Sequence, residues 1–326
     1  MEQRCRVAFT GSGQKGVRVT LILIDAKNAL FRYGMRHVRL RSSDGKPTGA
    51  IYGILSMLYQ MKKRYPDARF AMVWDDSRGW RQKEYPEYKG SRKAVGELPK
   101  DLQDVFSQMH LMRDVTKMLN IPQIQITDME ADDVIGILAR RFVLEHKVIV
   151  HSSDKDFYQL MAHGVQVTNH GTLPVTEKMV KERFGVGSKD VLKVRILLGD
   201  SSDNISKPVK GIGPKGAVKL IEAGVDPLKR DAAAGMGGVK NEKLAAAWAT
   251  VCRNRMLMKL LPSVESSRVS RVQRDQLVVW SRGIRHDLCS AVWLSPGQQR
   301  AWVKIMSELS MEDAIKHRGV LCSLQK

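Results

Sequence analysis

The chain has 326 residues, 43% of them hydrophobic, which suits a globular protein of one large or two smaller domains; it has no apolar run of roughly 20 residues and no secretory h-region. Its 54 lysines and arginines against 34 acidic residues give a net charge of +20, which predicts a polyanionic partner, usually nucleic acid, more than a membrane surface. Four cysteines without CxxC spacing argue against a disulfide framework or a zinc site and favour a cytoplasmic location.

Buried strands and amphipathic helices alternate in the first half of the chain. The predicted strands are "GVRVTLILID" (16–25), "ARFAMVWDD" (68–76), "IPQIQITD" (121–128) and "HKVIVHSSD" (146–154). The predicted helices cover 48–63, 101–119 and 132–145. This alternation predicts an α/β fold with a mostly parallel central sheet flanked by helices. Because such sheets bind ligands at the carboxyl ends of their strands, Asp25, Asp75 and Asp154 are expected to face one crevice.

The pattern becomes helical after about residue 175. Thr176 and Ser188 are predicted to cap helices over 177–184 and 189–198. A Gly-rich turn then leads into a helix within 211–224, and residues 231–242 are predicted to form a mobile loop. Residues 265–300 are basic and irregular in pattern, and no element is predicted there.

Acidic residues concentrate at the predicted ends of elements, which is unexpected in so basic a chain. They occur in "DMEADDVIG" (128–136), "SSDKDF" (152–157) and "GDSSDN" (199–204). Acids at a helix start also cap free N–H groups, and that reading alone accounts for the first stretch. Taken together, however, clustered carboxylates would repel one another unless cations lie between them. Oxygen ligands at this density suit Mg²⁺ or Mn²⁺, and two such ions can promote phosphodiester hydrolysis.

Seven stretches together resemble the bacterial and phage 5′-nuclease family, the 5′→3′ exonuclease and flap endonuclease fold that also forms the N-terminal domain of DNA polymerase I. They are "LILIDAKNALFR", "KPTGAIYGIL", "VWDDSRGWRQKEYPEYKGSR", "EADDVIGILARR", "SSDKDFYQL", "LLGDSSDNI" and "VKGIGPKGAVKLI". The resemblance covers about residues 17–260, with no polymerase domain after it, as in stand-alone phage members.

The resemblance implies two metal sites and a set of cations beside them. The first site would use Asp25, Asp75, Glu130 and Asp132, supported by Asp133. The second would use Asp154, Asp156 and Asp203, with Asp200 close by. Arg81, Lys89 and Arg92 match basic positions at the base of the family's helical arch, where cations would draw in the scissile phosphate.

Further residues are expected to contact nucleic acid. Tyr85 and Tyr88 could stack on a base, and Lys27, which stands where many relatives have glycine, could contact phosphate or perturb the first site. The Gly-rich turn resembles the family's helix–turn–helix element for duplex binding, which often holds K⁺. Its expected contacts come from Gly211, Gly213, Lys215 and Lys219.

The predicted organisation has four parts: a disordered lead-in (1–16), a nuclease core (17–175) with the arch at about 85–115, a helical DNA-binding region (176–262) with the turn at 209–221, and an extension (263–326). The resemblance implies a monomeric two-metal nuclease for DNA with a free 5′ end and for RNA in RNA–DNA hybrids, with a replication polymerase or single-strand-binding protein as partner. Two alternatives stay open: a structure-specific nucleic-acid clamp with little catalysis, and a ribonuclease of the PIN fold.

Overall fold

One parallel sheet forms the centre of the molecule. The computed structural model describes residues 19–76, 79–91, 97–169 and 171–289. In this part of the chain the strands are β1 (Thr20–Asp25), β2 (Arg69–Trp74), β3 (Gln123–Gln125), β4 (Lys147–His151) and β5 (Gln166–Thr168). Their order is β3-β2-β1-β4-β5, and every pairing is parallel. The predicted sheet is confirmed, although β5 was not foreseen because it is only three residues long.

Helices cover both faces of the sheet, as the alternating pattern predicts. They are α1 (Ala26–Arg36), α2 (Gly49–Arg64), α3 (Trp80–Glu84), α4 (Lys100–Ser107), α5 (Met109–Met118) and α6 (Ala131–Phe142). Side chains of a strand point alternately to opposite faces, and β1 is buried on both. Ile22 and Ile24 pack in the core with α1 and α2, whereas Leu21 and Leu23 pack in the core with α6.

The second half of the described chain is mostly helical. After a 3₁₀ helix (Lys155–His163) and β5 come α7 (Glu177–Phe184), α8 (Ser188–Leu198), α9 (Pro214–Glu222), α10 (Ala232–Met236), α11 (Glu242–Ala246), α12 (Trp248–Met258) and α13 (Arg271–Cys289). A third apolar cluster joins these helices to the segment after α3 through Tyr88, which packs with residues such as Leu192 and Trp248.

The structure differs from the sequence prediction at several local points. The predicted loop 231–242 contains α10, because Asp231 accepts a hydrogen bond from the Ala234 N–H (2.8 Å) and Gly235 lies against Trp248. The stretch 265–300, for which no element was predicted, contains α13, which buries Leu277 and Ile284 in the core.

Two helix boundaries also change. The single helix predicted over 101–119 divides at Gln108, whose side-chain amide accepts from the Ala50 N–H and donates to the Asp104 carbonyl (both 2.9 Å). Thr176 caps α7 as predicted, but the residue that caps α8 is Gly187, and the Ser188 hydroxyl donates to Glu177 instead.

No helix in the described ranges has the length and apolar content needed to cross a bilayer. The sheet instead sets the position of the acidic residues. Asp25 is the last residue of β1, Asp75 follows β2 directly, and Asp154 lies three residues beyond β4. Because β1 pairs with both β2 and β4 in parallel, these acids lie at one edge of the sheet.

Candidate active site

The strand ends and the start of α6 bring four carboxylates into one partly buried pocket, those of Asp25, Asp75, Asp132 and Asp154. Asp25 caps α1 by accepting from the Asn28 N–H (3.2 Å), and its other oxygen accepts from the Ser152 hydroxyl (2.9 Å). Burial, with the charges of Asp75 and Asp154, raises the pKa of Asp25 to about 7. Burial also raises the pKa of Asp132 well above its ordinary value, helped by the charges of Asp154, Asp25 and Asp75. The charges that contribute to these two shifts come from acids at the neighbouring strand ends, so these carboxylates lie near one another.

Asp75 and Asp132 are brought together by the start of α6. Asp75 Oδ1 accepts a hydrogen bond from the Ala131 N–H (2.9 Å), in the first turn of that helix. The Nζ atom of Lys27 lies 4.0 Å from Asp75 Oδ2, and the Lys27 side chain is 51% exposed. Lys27 therefore lies at the rim of the pocket, beside Asp75.

Glu130 is the member of the first site that is paired with protein cations. Arg81 Nη1 donates to its Oε2 (2.8 Å), and Lys89 Nζ pairs with its Oε1. Burial opposes ionisation of Glu130, but the charges of Arg81 and Lys89 outweigh it and hold the pKa of this carboxyl below its ordinary value. Burial lowers the pKa of Lys89, while Glu130, Asp132 and Asp203 raise it above its ordinary value. The Lys89 ammonium thus lies between acids of both predicted sites.

The structure corrects the assignments of Asp133 and Arg81. Asp133 is fully buried, and its two oxygens accept from Arg81 Nη1 (2.6 Å) and Nη2 (2.9 Å), Trp80 Nε1 (2.8 Å) and the Leu261 N–H (2.9 Å). Consecutive residues of a helix point about 100° apart, so Asp133 faces away from the pocket that Asp132 enters. Each Asp133 oxygen already accepts two hydrogen bonds from these donors, so Asp133 is not a ligand for a metal ion.

Arg81 is likewise a structural residue, not a group for contacting phosphate. Its side chain is 2% exposed. Besides Asp133 and Glu130, it donates to the carbonyls of Leu257 (2.7 Å) and Lys259 (3.3 Å), at the end of α12. This guanidinium joins α3, α6 and the chain after α12, and a substrate cannot reach it without unfolding that junction.

The acids predicted for the second site lie at the 3₁₀ helix and in the loop after α8. Asp154 caps the 3₁₀ helix by accepting from the Asp156 N–H (2.8 Å). Burial raises the pKa of Asp156 to about 7, with the charge of Arg195 opposing and those of Asp154 and Asp203 contributing. Asp200 accepts from the N–H (3.0 Å) and hydroxyl (2.6 Å) of Ser202. The four acids of this second acidic set, Asp154, Asp156, Asp200 and Asp203, therefore share one neighbourhood.

The residues expected to contact nucleic acid have different environments. Tyr88 is 5% exposed and packs in the third apolar cluster, so its predicted stacking on a base is wrong. Tyr85 is half-buried; its hydroxyl donates to Glu87 (2.7 Å), and Arg253 lies 4.9 Å from its ring centroid. Arg92 lies outside the described residues, as does part of the predicted arch.

The Gly-rich turn leads into α9 with its predicted residues accessible. Gly211 has a φ of +90°, which favours glycine, and Gly213 is the N-cap residue of α9. Lys215 and Lys219 are exposed on that helix. The surface of this turn is thus open, although its binding to a duplex or to K⁺ stays a prediction.

Three residues of the site were missed from the sequence. Ser152 accepts from the Asp154 N–H (3.0 Å) while its hydroxyl donates to Asp25, so it joins two acids. Asn28 Oδ1 accepts from the N–H and hydroxyl of Ser153 (both 3.0 Å). Arg195 pairs with Asp156 (3.0 Å) and Asp200 (3.1 Å). The one signal for Arg195 was its charge within the apolar run "VRILL" that precedes "GDSSDN".

The chemistry of this donor set fits a hard divalent cation. Among the described residues, no three Asp, Glu, His or Cys side chains form a ready coordination shell. Mg²⁺ does not need one, because it usually keeps several waters and binds through one or two carboxylates. Burial and the charges of neighbouring acids raise the pKa values of Asp25 and Asp132, and a bound cation would offset both effects.

Comparison with known proteins agrees with this geometry. Residues 20–185 match the family model described as "5'-3' exonuclease, N-terminal resolvase-like domain". The 5'-3' exonuclease of Aquifex aeolicus is 32% identical over 206 residues, covering 62% of this chain and 69% of that protein. DNA polymerase I of Pseudomonas aeruginosa is 36% identical over 205 residues; the match covers 62% of this chain but 22% of the polymerase.

A solved structure shares the fold over most of the chain. It is the bacteriophage T5 flap endonuclease in a complex with DNA and metal ions, with a TM-score of 0.66 and 22% identity. The superposition covers 83% of this chain and 100% of that one. At this identity the likeness supports the fold, a parallel sheet flanked by helices, and not by itself the substrate.

Proposed function

The chain belongs to the 5′-3′ exonuclease family, and we propose that it hydrolyses phosphodiesters of DNA near a free 5′ end, as an exonuclease and as a flap endonuclease. The observation that carries this proposal is the pocket at the strand ends, where burial and the charges of neighbouring acids, Asp75 and Asp154 among them, raise the pKa values of Asp25 and Asp132. RNA in RNA–DNA hybrids is proposed as a second substrate, because a hybrid duplex offers the same phosphate groups for backbone contacts as DNA does.

Divalent ions, Mg²⁺ or Mn²⁺, are proposed as cofactors. Asp25, Asp75, Asp132 and Asp154 would hold one ion, since these are the acids whose charges act on one another. Glu130 stays a predicted ligand of the same site, and the second acidic set is the predicted second site. When bound, such ions neutralise the charge that develops on a phosphate during displacement.

The chain's own groups would position both the acids and the phosphate. Ser152 holds Asp25, and the Ala131 N–H holds Asp75, so neither carboxylate needs to reorganise when substrate arrives. Lys89 lies between Glu130 and the charges of Asp132 and Asp203, where its ammonium can receive a phosphate oxygen. Arg92 keeps its predicted role of orienting the same phosphate.

DNA binding is proposed to extend from this pocket over two surfaces. Lys27 lies at its rim, and Tyr85 with Arg253 offers a half-buried ring beside a cation. The other surface is the turn at Gly211 and Gly213 with the exposed Lys215 and Lys219, where a duplex backbone, and K⁺, would bind. The arch, the four-part domain plan, monomeric state, cytoplasmic location and replication partners remain predictions.

The test measures Mg²⁺-dependent release of label from a 5′-labelled flap and from a 5′-labelled duplex. The parent protein should release label in Mg²⁺ and should release none when EDTA removes the ion. The Asp132→Asn variant should release no label in Mg²⁺. Asp190→Asn is the matched control, because Asp190 pairs with Lys193 (2.9 Å), a partner outside the acidic pocket. Cleavage that is indifferent to EDTA, or equal in the Asp132→Asn variant and the parent, would reject the proposal.

The alternative of a nucleic-acid clamp with little catalysis has one observation in its favour. Protein cations already approach several of the acids, among them Lys27 at 4.0 Å from Asp75. Such a clamp would bind a flap tightly in Mg²⁺ and release no label. A ribonuclease of the PIN fold would instead cleave single-stranded RNA without a preference for 5′ ends, and the family match argues against it.

A further inference from the structure

Arg195 places a buried positive charge inside the second acidic set. It lies on α8, and only 8% of its side chain is exposed. Its Nη2 atom is 3.0 Å from Asp156 Oδ1 and 3.1 Å from Asp200 Oδ2. A single guanidinium therefore bridges the 3₁₀ helix and the loop after α8, the two segments that supply this set.

Arg195 interacts electrostatically with all four acids of the second acidic set. Burial lowers the pKa of Arg195, but the charges of Asp156, Asp154, Asp200 and Asp203 outweigh it and raise that pKa above its ordinary value. The first site also has protein cations: Lys27 is half exposed and 4.0 Å from Asp75, and Arg81 and Lys89 pair with Glu130. Arg195 differs from these because its guanidinium bridges two predicted ligands of one set, Asp156 and Asp200.

The bonding of Arg195 is also incomplete. Its Nε and Nη1 atoms are buried and have no hydrogen-bond partner in the described part of the chain. Leaving buried donors unpaired is costly, and a residue placed only for stability would be expected to satisfy them. This pattern indicates that Arg195 is retained for its charge next to the acids.

We propose that Arg195 is the resident cation of the second acidic set and keeps its affinity for a free divalent ion low, so that the second ion binds together with the substrate phosphate. This inference rests on the proposed function. The guanidinium repels an incoming ion and holds Asp156 and Asp200 as its own partners. A bound phosphate adds negative charge at the same place, which offsets that repulsion and makes room for the second ion. Arg195 is a positioning residue in this scheme, because it acts through the acids.

The experiment measures Mn²⁺ binding by calorimetry and by electron paramagnetic resonance, without DNA. Arg195→Met and Arg195→Gln remove the charge with side chains of different shape, and Arg195→Lys keeps it. Lys193→Met is the matched control, since Lys193 is on the same helix but pairs with Asp190 (2.9 Å) and lies 3.9 Å from Asp226. Circular dichroism and thermal unfolding establish that each variant is folded.

The parent, Arg195→Lys and Lys193→Met should bind one ion tightly and a second weakly. The two neutral variants should bind the second ion at least about tenfold more tightly, the factor expected for removing a unit charge about 5 Å from a divalent ion even at the dielectric constant of water. Adding Asp203→Asn to Arg195→Met should abolish the gain, which assigns the ion to the second set. A short 5′-tailed duplex should tighten the second ion in the parent and have a smaller effect in Arg195→Met.

Unchanged or weaker affinity for the second ion in both neutral variants would overturn this inference. Asp132→Asn separates it from the proposed function, because that variant should lose the tight ion whatever residue stands at 195. If Asp132→Asn keeps the tight ion, the metal site of the proposed function is wrong. If it loses that ion while the neutral variants show no gain, only the role of Arg195 is rejected.

Discussion

Replacing Arg81 by methionine should destabilise the protein severely, because Arg81 is the buried centre of an ion-pair network. Its side chain is 2% exposed and pairs with Glu130 and with both oxygens of Asp133, which is itself fully buried. Removing one partner of a buried pair costs about 3–5 kcal/mol, since the other charge stays buried without compensation. The lost hydrogen bonds to the Leu257 and Lys259 carbonyls add about 1 kcal/mol each.

Arg268→Met provides the matched control. Arg81 and Arg268 lie over the same ring, with their guanidinium carbons 4.7 Å and 4.3 Å from the Trp80 centroid. Arg268, however, pairs with Glu84 at the surface, where both side chains are about one-third to one-half exposed. An exposed pair contributes about 0–1 kcal/mol, so Arg268→Met should change the free energy of unfolding by no more than that.

The assay is guanidinium chloride unfolding at pH 7 in EDTA, followed by circular dichroism. Arg81→Met should lose about 4 kcal/mol or more of unfolding free energy, and Arg81→Lys should recover little, because an ammonium cannot bind both Asp133 oxygens in the same plane. The double variant Arg81→Met with Asp133→Asn should lose less unfolding free energy than the sum of the losses in the two single variants. A loss for Arg81→Met within about 1 kcal/mol of that for Arg268→Met would refute the buried network as the reason for this residue.

Three further predictions concern charge. Asp154→Asn and Asp156→Asn should reduce flap cleavage at least about a hundredfold while DNA binding, measured by anisotropy, is kept or strengthened; equal turnover would contradict their role. The DNA association constant should fall steeply with salt concentration. The slope of its logarithm against the logarithm of salt concentration should be roughly −1 for each phosphate that the protein neutralises, and a flat response would contradict a basic binding surface. The pKa values of Asp25 and Asp156, raised from 3.8 to about 7, mean that the folded protein binds more protons than the unfolded chain between these values. The stability that these two groups contribute is therefore complete below about pH 4 and is lost as pH rises through 7. Melting temperature in EDTA should fall between pH 5.5 and 8, Mg²⁺ should reduce that fall, and an unchanged profile in Asp25→Asn would refute the assignment.

The main elements of the fold were predictable because their signals are local. The apolar runs predicted as strands at 16–25, 68–76 and 146–154 correspond to β1, β2 and β4 in the structure. The amphipathic stretch at 48–63 corresponds to α2 (Gly49–Arg64). The elements that were missed lack such signals. β5 has three residues, and α13 mixes polar and apolar residues so closely that its buried Leu277 and Ile284 do not mark a helix by themselves.

The position of the acids at the strand ends was predictable, whereas the burial of Arg81 and Asp133 and the role of Arg195 were not. Asp25, Asp75 and Asp154 follow strands that pair in parallel, and topology alone brings such residues to one edge. Arg81, Asp133 and Tyr88 were assigned to the reaction because they lie in the same motifs, but the structure buries all three. Adjacent residues of one motif face different directions, and burial depends on elements far away, such as the chain after α12 that covers Arg81.

Residue order therefore determined which chemical groups this protein has at its strand ends and the kind of ion they suit, because strand, turn and carboxylate are consecutive in the chain. Which cation neutralises which acid was settled only by folding. Arg81 is 49 residues from Glu130 and 52 from Asp133, and Asp156 meets Arg195 across two segments. Electrostatic pairing depends on distance and burial in three dimensions, and neither quantity is encoded in the local pattern of residues.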